Sequence, residues 1–514
     1  MSQLALAEPT AGVRLDEIAR RLPMVVRIVG DASVRVKGVR HDSRTVQPGD
    51  LFVARRGLHV NAIEFTGDAI ARGAAAIMIG DGGLAHLAGD ERVPVLFVND
   101  PSSALAHVAD LVYEQPSLSL DVVGITGTNG KTTTAHLVRG AIDGAWGRPC
   151  CGILGTIGNS FGTWHARAEH TTPEADDVAR TMATMRGLGA THLAMEVSSH
   201  ALALGRVQAV RFRVAALTNL TQDHLDFHGS MVAYAEAKAR LFTELAPRAV
   251  VLNVDDPFGA ELAARVNVPI VRVTARPDPS GKVEIAPIQL RIDSAGIEAS
   301  LRTPSGIARI ASRLFGAHNL ENLLLALGIA HALGLDVNRV ADALSIESAP
   351  PGRLERCEGS GDAITVLVDY AHTPDALARA LDAVRAMTHG RVWCVFGCGG
   401  DRDSTKRAPM GEVAARRADV TIVTSDNPRT EDPLTITAAV VSGARAAGVE
   451  PILEPDRRKA IGLAVRSAAP GDVVLIAGKG HEEHQIVGAV KYPFSDRTEA
   501  RVALETKRGH RGGA

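Results

Sequence analysis

Short apolar runs recur along the chain and end in Gly, Asp or Asn. Asp121–Thr126, Thr191–Val197, Val214–Leu220, Val250–Val254, Val392–Phe396, Val420–Thr424 and Val473–Ala477 are of this kind. Runs of that length without polar alternation predict strands buried on both faces, as in parallel sheets. Helix-like segments follow them, for example Lys131–Ile142 after Leu120–Thr126. Strands alternating with helices predict an α/β fold of the doubly wound kind. Such folds bind ligands beyond the carboxyl ends of their strands, so the polar residues after each run are where chemistry is expected.

The pattern divides into three blocks. Residues 1–112 carry shorter strands at Asp50–Ala54, Ala74–Gly80 and Val93–Val98. Residues 113–347 open with a glycine loop. Residues 348–514 form a further α/β block behind Pro350-Pro351-Gly352-Arg353, where prolines and glycine break both helix and strand. A length of 514 residues fits several cores better than one.

Composition narrows the class. With 46% apolar and 22% charged residues the chain reads as an ordinary soluble protein. A net charge of −2 gives no bulk attraction to nucleic acid or anionic lipid. No apolar run is long enough to span a bilayer, so no membrane insertion is expected. The start, MSQLALAEPT, lacks the basic segment and apolar core of a secretion signal. Cys150, Cys151, Cys357, Cys394 and Cys398 form no C-x-x-C pair and read as reduced thiols of a cytoplasmic protein. The tail KRGHRGGA reads as disordered.

The glycine loop, Gly124–Thr134, is the strongest chemical signal. It ends in Gly130-Lys131-Thr132 like a phosphate loop, but Ile125 stands where the first glycine of G-x-x-x-x-G-K-[ST] is expected. A strand, a glycine loop and a helix together present backbone N–H groups and a positive helix end to an anion. Lys131 would supply charge to the β/γ phosphates, and Thr132 a hydroxyl for Mg²⁺. The alternative is a glycine turn with an incidental lysine.

Other strand-end segments carry weaker signals. Glu196 in MEVSSHAL follows a strand and suits a hard cation, although taken alone it reads more readily as a solvated or capping residue. His224 in TNLTQDHLDFHGS ends another run. Lys238 in AEAKARLF reads, from residue type, as a surface lysine on an amphipathic helix. His318, Asn319 and Asn322 sit at a helix start, where capping is the simple explanation. Asp369, the first residue of DYAHTPD, stands at a further strand end. FGCGGDRDSTKR brings Arg402, Lys406 and Arg407; SDNPRTEDP brings Arg429; AGKGHEEHQ brings Lys479, His481 and Glu482. Each turn alone could be merely solvated. Three strand-end loops with both charge signs describe a pocket for a zwitterion.

Taken in order, these motifs resemble the Mur ligase family, from about Val36 to Arg497. The likeness rests on Asp42-Ser43-Arg44 with Pro48-Gly49-Asp50-Leu51-Phe52-Val53, on GTNGKTT, on Thr171-Thr172-Pro173, and on MEVSSHAL, DHLDFH, Ala237-Lys238, DYAHTPD, GCGGDRD, DNPR and GKGHE. The family's shortened phosphate loop accounts for the odd spacing.

The resemblance implies three domains: an N-terminal UDP-sugar-binding domain, a central P-loop ATPase-like domain and a C-terminal doubly wound domain that holds an amino acid. It implies ATP and Mg²⁺, and a reaction in which a D-glutamyl carboxylate of a UDP-muramoyl dipeptide is phosphorylated and then attacked by an amine. By the same likeness Gly127, Thr128, Asn129, Gly130, Lys131, Thr132, Thr133, Asn319 and Arg353 would bind ATP. Thr132, Glu196, His224 and Lys238 would serve the metal sites, Lys238 as a carbamate. This replaces the surface reading of Lys238. Ser43, Thr171, Thr172, Ser198 and Arg206 would hold the UDP-muramoyl dipeptide. Arg402, Asp426, Asn427, Pro428, Arg429, Gly478 and Glu482 would hold a diamino acid. The DNPR sequence resembles the members that add meso-diaminopimelate, and a monomer acting in peptidoglycan precursor synthesis is expected. The chain departs from the family at His170, at Leu204 and in Gly57–Phe65, all bearing on uridine-side contacts. The rivals are an L-lysine-adding relative, a folylpolyglutamate synthase, which lacks DSR and DNPR, and a P-loop switch that synthesises nothing.

Overall fold

The computed structural model describes residues 11–55, 61–80, 93–293, 295–359 and 362–511, with the side chains of 509–511 excepted. Part of the Gly57–Phe65 departure therefore lies outside the described residues.

Each of the three domains is built on its own sheet. The N-terminal sheet orders Val26–Val29, Val95–Val98, Ala76–Gly80, Asp50–Val53 and Gly38–Arg40, parallel except for the first pair. The central sheet has eight strands, in the order Trp164–Ala166, Gly158–Phe161, Cys151–Gly155, His192–Glu196, Asp121–Thr126, Phe212–Leu217, Ala249–Asn253 and Ile270–Val273. It is parallel from Cys151–Gly155 onward. The strand before the glycine loop thus lies between the strands that end at Glu196 and Leu217, with Glu196 opposite Ile125.

The C-terminal sheet orders Glu355–Arg356, Thr365–Asp369, Val473–Ala477, Val392–Phe396, Val420–Val423 and Ile452–Leu453. All but its first pair are parallel. Its three adjacent strands Val473–Ala477, Val392–Phe396 and Val420–Val423 deliver GKGHE, GCGGDRD and DNPR to one edge of the domain. The apolar runs form these strands because both faces are covered: Val474 and Ile476 face one cluster, Val473, Leu475 and Ala477 the other.

Two features depart from the sequence reading. Of the tail expected to be disordered, residues 512–514 lie outside the described residues and residues 507–511 continue a helix, Asp496–Arg511. Its buried Ala500, Ala503 and Leu504 recur at helical spacing and anchor it in the C-terminal core. A three-stranded antiparallel sheet, Ala286–Asp293, Gly296–Thr303 and Gly306–Ser312, also lies within the central block. It buries only one face, so its strands alternate and give no continuous apolar run.

The domains touch through specific contacts. Ala175, Ala179 and Ala183 of the central helix Ala175–Gly187 recur every four residues and pack into the N-terminal core. Central and C-terminal domains meet at Arg379 with Glu321 (3.1 Å), Asn129 with Asp375 (3.0 Å) and Gln222 with Thr405 (3.2 Å).

Candidate active site

The glycine loop takes the shape a phosphate loop needs. Gly127 and Gly130 have φ of +145° and +87°, a region that side chains avoid. A Cβ at Gly127 would strike the Thr218 hydroxyl, and one at Gly130 would lie 2.5 Å from Asn322 Oδ1. The helix Lys131–Trp146 starts directly after, so its free N–H groups face the loop. Thr128 N–H donates to the Asn219 carbonyl (2.8 Å), and Asn129 N–H to the Asn219 side chain (2.9 Å). Thr133 is buried on the first turn.

Lys131 folds back over the loop. Its ammonium donates to the carbonyls of Gly127 and Thr128, each at 2.9 Å. Burial lowers its pKa, while Glu196 and Asp223 act the other way. A cation held by two neutral carbonyls is free to exchange them for phosphate oxygens.

Glu196 is buried and heavily bonded. Its carboxylate accepts from the Thr132 hydroxyl (2.9 Å), the Thr156 N–H (2.8 Å) and the Thr156 hydroxyl (3.1 Å). It is neither a solvated residue nor a helix cap. Thr156 follows the strand Cys151–Gly155 and had no place in the sequence reading, although a polar residue at a strand end was the signal in use.

Lys238 is the sharpest departure from residue type. It is 1% exposed, on the helix Met231–Thr243, with its amine donating to the Gly127 carbonyl (2.9 Å) and lying 4.4 Å from the Tyr234 ring centre. Burial, and then Lys131, hold its pKa well below the usual lysine range. His224 adopts a left-handed backbone (φ +55°) and packs edge-on against His200 at 4.7 Å. Burial pushes its pKa down to about 3, so the imidazole is neutral and can ligate. Beside it, the buried Asp223 lies 3.4 Å from His224 and 3.9 Å from His372 of the C-terminal domain.

The donor set fits a hard cation: a threonine hydroxyl, a bonded carboxylate and a neutral imidazole, with a lysine amine that carbamylation would turn into an oxygen ligand. Glu196 and His224 do not share a closed cage. Among the described residues, the one group of three acidic, His or Cys side chains with ligand atoms mutually within 4.8 Å is His41, Asp176 and Asp177. There His41 pairs with Asp176 at 2.8 Å, fastening the N-terminal domain to the helix after Thr171-Thr172-Pro173.

Most of the residues expected to hold the dipeptide lie near Glu196. Thr171 and Thr156 share a hydroxyl contact of 3.0 Å. The Thr172 hydroxyl donates to the Glu196 carbonyl (2.8 Å) and accepts from Ser198 N–H (3.0 Å). Arg206 donates to the Thr172 carbonyl (2.9 Å) and pairs with Glu174 (2.5 Å). Glu174 also meets Arg55 (2.9 Å), an arginine that sequence reasoning missed. Ser43 is buried in the turn Ser43–Thr45 that Asp42 caps. His170 is exposed, and Leu204 ends the helix Ser199–Ala203.

Asn319 is buried behind the glycine loop rather than on it, donating to the Phe315 carbonyl (2.9 Å). Asn322, which accepts from Thr134 (3.1 Å), links that helix to the loop. Arg353 crosses the domain seam: it donates to the Thr132 hydroxyl (2.9 Å) and stacks 4.5 Å over Tyr370. Asp369 accepts from the N–H groups of Leu354 and Ala371 and so tethers the Pro350–Arg353 hinge.

In the C-terminal loops, Gly400 N–H donates to the Asn427 carbonyl (2.9 Å), and a Cβ at Gly400 would strike the Pro428 carbonyl. Arg429, with φ +53°, donates to the Gly400 carbonyl (2.6 Å). Burial and the nearby Arg402 lower its pKa. Arg402 itself is exposed and, among the described residues, bonds its neighbour's carbonyl alone. Asp426 and Asn427 are buried, Gly478 (φ +115°) approaches Asp426, and Glu482 accepts from Asn427 (2.9 Å).

Comparison with known proteins gives the constellation a family. Family models match in sequence: "Mur ligase family, catalytic domain" over residues 35–113, "Mur ligase middle domain" over 125–330, and "Mur ligase, glutamate ligase domain" over 352–480. The chain belongs to the Mur ligase family. A relative from Gloeobacter violaceus, named UDP-N-acetylmuramoyl-L-alanyl-D-glutamate–2,6-diaminopimelate ligase, is 44% identical over 96% of this chain and 99% of its own. A solved structure of a ligase of that name is 32% identical, with a TM-score of 0.66 over 97% of this chain and 99% of that one. A Mycobacterium tuberculosis folylpolyglutamate synthase, complexed with ADP and AMPPCP, shares the fold at 19% identity, with a TM-score of 0.59 over 77% of this chain and 93% of that one. As a Mur ligase the chain is an ATP-dependent, ADP-forming enzyme. No helix among the described residues is long and apolar enough to cross a membrane.

Proposed function

We propose that this Mur ligase adds meso-2,6-diaminopimelate to UDP-N-acetylmuramoyl-L-alanyl-D-glutamate, using ATP, in peptidoglycan precursor synthesis. The observation that carries the reading is the placing of two unlike sites across one seam. Supporting it, a phosphate loop with Lys131, Thr132 and Glu196 and strand-end loops carrying Arg429, Arg402, Asp426 and Glu482 lie on the two sides of the hinge, where Arg353 bonds Thr132 and Gly352 packs against Gly480 and His481.

The groups divide the work. Lys131 and the N–H groups opening its helix bind the terminal phosphates and neutralise charge as the phosphoryl group moves to the D-glutamyl carboxylate. Thr171, Thr172, Ser198, Arg206 and the Ser43 turn hold the UDP-muramoyl dipeptide so that this carboxylate points at the loop. Asn319 and Arg353 contact the nucleotide, Arg353 from the hinge side. Thr132, Glu196, His224 and a carbamylated Lys238 are the residues that would hold Mg²⁺, which when bound supplies further charge neutralisation at the phosphates. The C-terminal pocket presents the amine to the acyl phosphate while the closed seam keeps water out. Arg429 offers a planar fork to the distal carboxylate, Arg402 adds positive charge, and Asp426 and Glu482 face the distal ammonium. Asn427, Pro428 and Gly478 shape the pocket walls. All these groups come from one chain, so a monomer suffices, and ATP with a nucleotide-linked substrate suits the cytoplasm.

Phosphate release tests the reading. It should require ATP, Mg²⁺, the UDP-muramoyl dipeptide and meso-diaminopimelate together. ATP turnover indifferent to the last two would instead favour a nucleotide switch.

A further inference from the structure

The amino-acid pocket contains a cation that the proposed contacts leave without a task. Lys479, between Gly478 (φ +115°) and Gly480 (φ +53°), is 0% exposed. Its ammonium donates to Asn427 Oδ1 (2.9 Å) and Glu482 Oε2 (2.8 Å) and stands 3.7 Å from Asp426 Oδ1. Asn427 closes the triangle, donating to the same Glu482 oxygen (2.9 Å) and accepting from Ile486 N–H (2.9 Å). One buried lysine therefore touches or faces three residues of the proposed pocket.

The arginines of the same pocket show the opposite pattern. Among the described residues, neither Arg429 nor Arg402 makes an ion pair; Arg429 donates to the Gly400 carbonyl and Arg402 to the Asp401 carbonyl (2.8 Å). Asp426, Glu482 and, beside Arg402, Asp401 share this region with three cations; the lysine takes Asp426 and Glu482, Asp401 accepts from Thr430, and among the described residues neither arginine closes an ion pair. Nothing in residue type demands this. A guanidinium is the better partner for a carboxylate, since it offers two parallel donors. An Arg429 free to choose would turn to Asp426 or Glu482.

We propose that Lys479 is a positioning residue for amino-acid selection: by holding Asp426, Asn427 and Glu482 on one side of the pocket it leaves Arg429 and Arg402 unpaired for the distal carboxylate of the incoming diamino acid. The inference rests on the diaminopimelate reading above and deepens it. Lys479 is fully buried and both of its hydrogen bonds go to the Asn427–Glu482 side of the pocket, so it acts through its neighbours. It leaves the second oxygen of Glu482 to receive the ammonium of the amino acid. Without the lysine, Asp426 and Glu482 would lose their shared cation, and Arg429, which lies within reach of both charges and is not held in an ion pair as Arg457 is, would be drawn to them. The carboxylate site would then be filled from within.

The test is a comparison of Lys479→Met with the unmutated protein, measuring kinetics for meso-diaminopimelate, L-lysine, ATP and the UDP-muramoyl dipeptide. The expected result is a KM for diaminopimelate raised about tenfold or more. The kcat/KM preference over L-lysine should shrink by at least as much, with the KM values for ATP and dipeptide within about twofold of the unmutated protein's. Lys479→Arg, which keeps the charge, should retain most of the preference. Lys479→Gln, which keeps a donor for Asn427, carries the same test if the Met variant fails to fold. A folded neutral variant with an unchanged preference, or one in which the KM values of all three substrates rise together, would overturn the inference. So would failure of both neutral variants to fold while Lys479→Arg folds, since that outcome describes a purely structural lysine. If the unmutated protein itself shows no preference, it is the functional reading that fails.

Discussion

At the scale of single residues, Lys238 marks where residue type stops being informative. A lysine among alanines on a helix reads as solvent-facing, yet here the amine is buried under the glycine loop. The motif around it corrected the reading; composition could not, because burial of a lysine depends on what the fold stacks above it. Burial lowers the pKa of this amine and so favours its unprotonated form, the form that reacts with carbon dioxide to give a carbamate. Lys238→Ala should lower ligation about 100-fold or more while leaving the thermal transition in place, with partial rescue by added formate or acetate. Near-normal turnover would remove the carbamate from the account. Histidines supply a second prediction. Burial holds His318 at about 4 and His136 at about 3, against an ordinary 6.5. Between those values the unfolded chain binds protons that the folded chain refuses, so stability is full above pH 6.5 and is lost as pH falls toward 4. The Tm should drop through that window, and His318→Gln should blunt the drop. A Tm flat from pH 6.5 to 4 contradicts the assignment.

Elements were more legible than residues. The parallel strands of the central and C-terminal sheets announce themselves because burial on both faces leaves them no polar alternation, and their order then puts Glu196 beside the phosphate loop. The antiparallel sheet Ala286–Ser312 and the terminal helix were not legible in that way, since one exposed face breaks the apolar run. Nor could spacing show that the GCGGDRD and DNPR loops interlock through backbone atoms. Gly400 belongs to that contact: an added methyl meets the Pro428 carbonyl, which a rigid loop cannot move aside. Gly400→Ala should push the two loops apart and raise the KM for the amino acid about tenfold, with little change for ATP, because the phosphate loop belongs to another domain. A KM for diaminopimelate equal to the unmutated protein's would show that the loops tolerate the shift.

For the whole molecule, chemistry is divided between domains that meet at few points. Arg353 with Thr132, Arg379 with Glu321, Asn129 with Asp375 and Gln222 with Thr405 are polar contacts, joined among the described residues by Phe315, which packs into the C-terminal core; an interface this polar is the kind that opens and closes. Closure excludes water that would hydrolyse the acyl phosphate. X-ray scattering should therefore show the protein more compact with an ATP analogue and the dipeptide than alone; an unchanged radius of gyration would argue against closure as a step. The central claim, that a diamino acid with two carboxylates is the added substrate, has a more direct test. Meso-diaminopimelate and L-lysine differ by one carboxylate, and a site built to bond a polar group rejects the analogue lacking it by about 10⁴. Measuring kcat/KM for both amino acids with the unmutated protein, ATP and the UDP-muramoyl dipeptide should give diaminopimelate an advantage of about that size, whereas equal values, or a preference for lysine, would contradict the account.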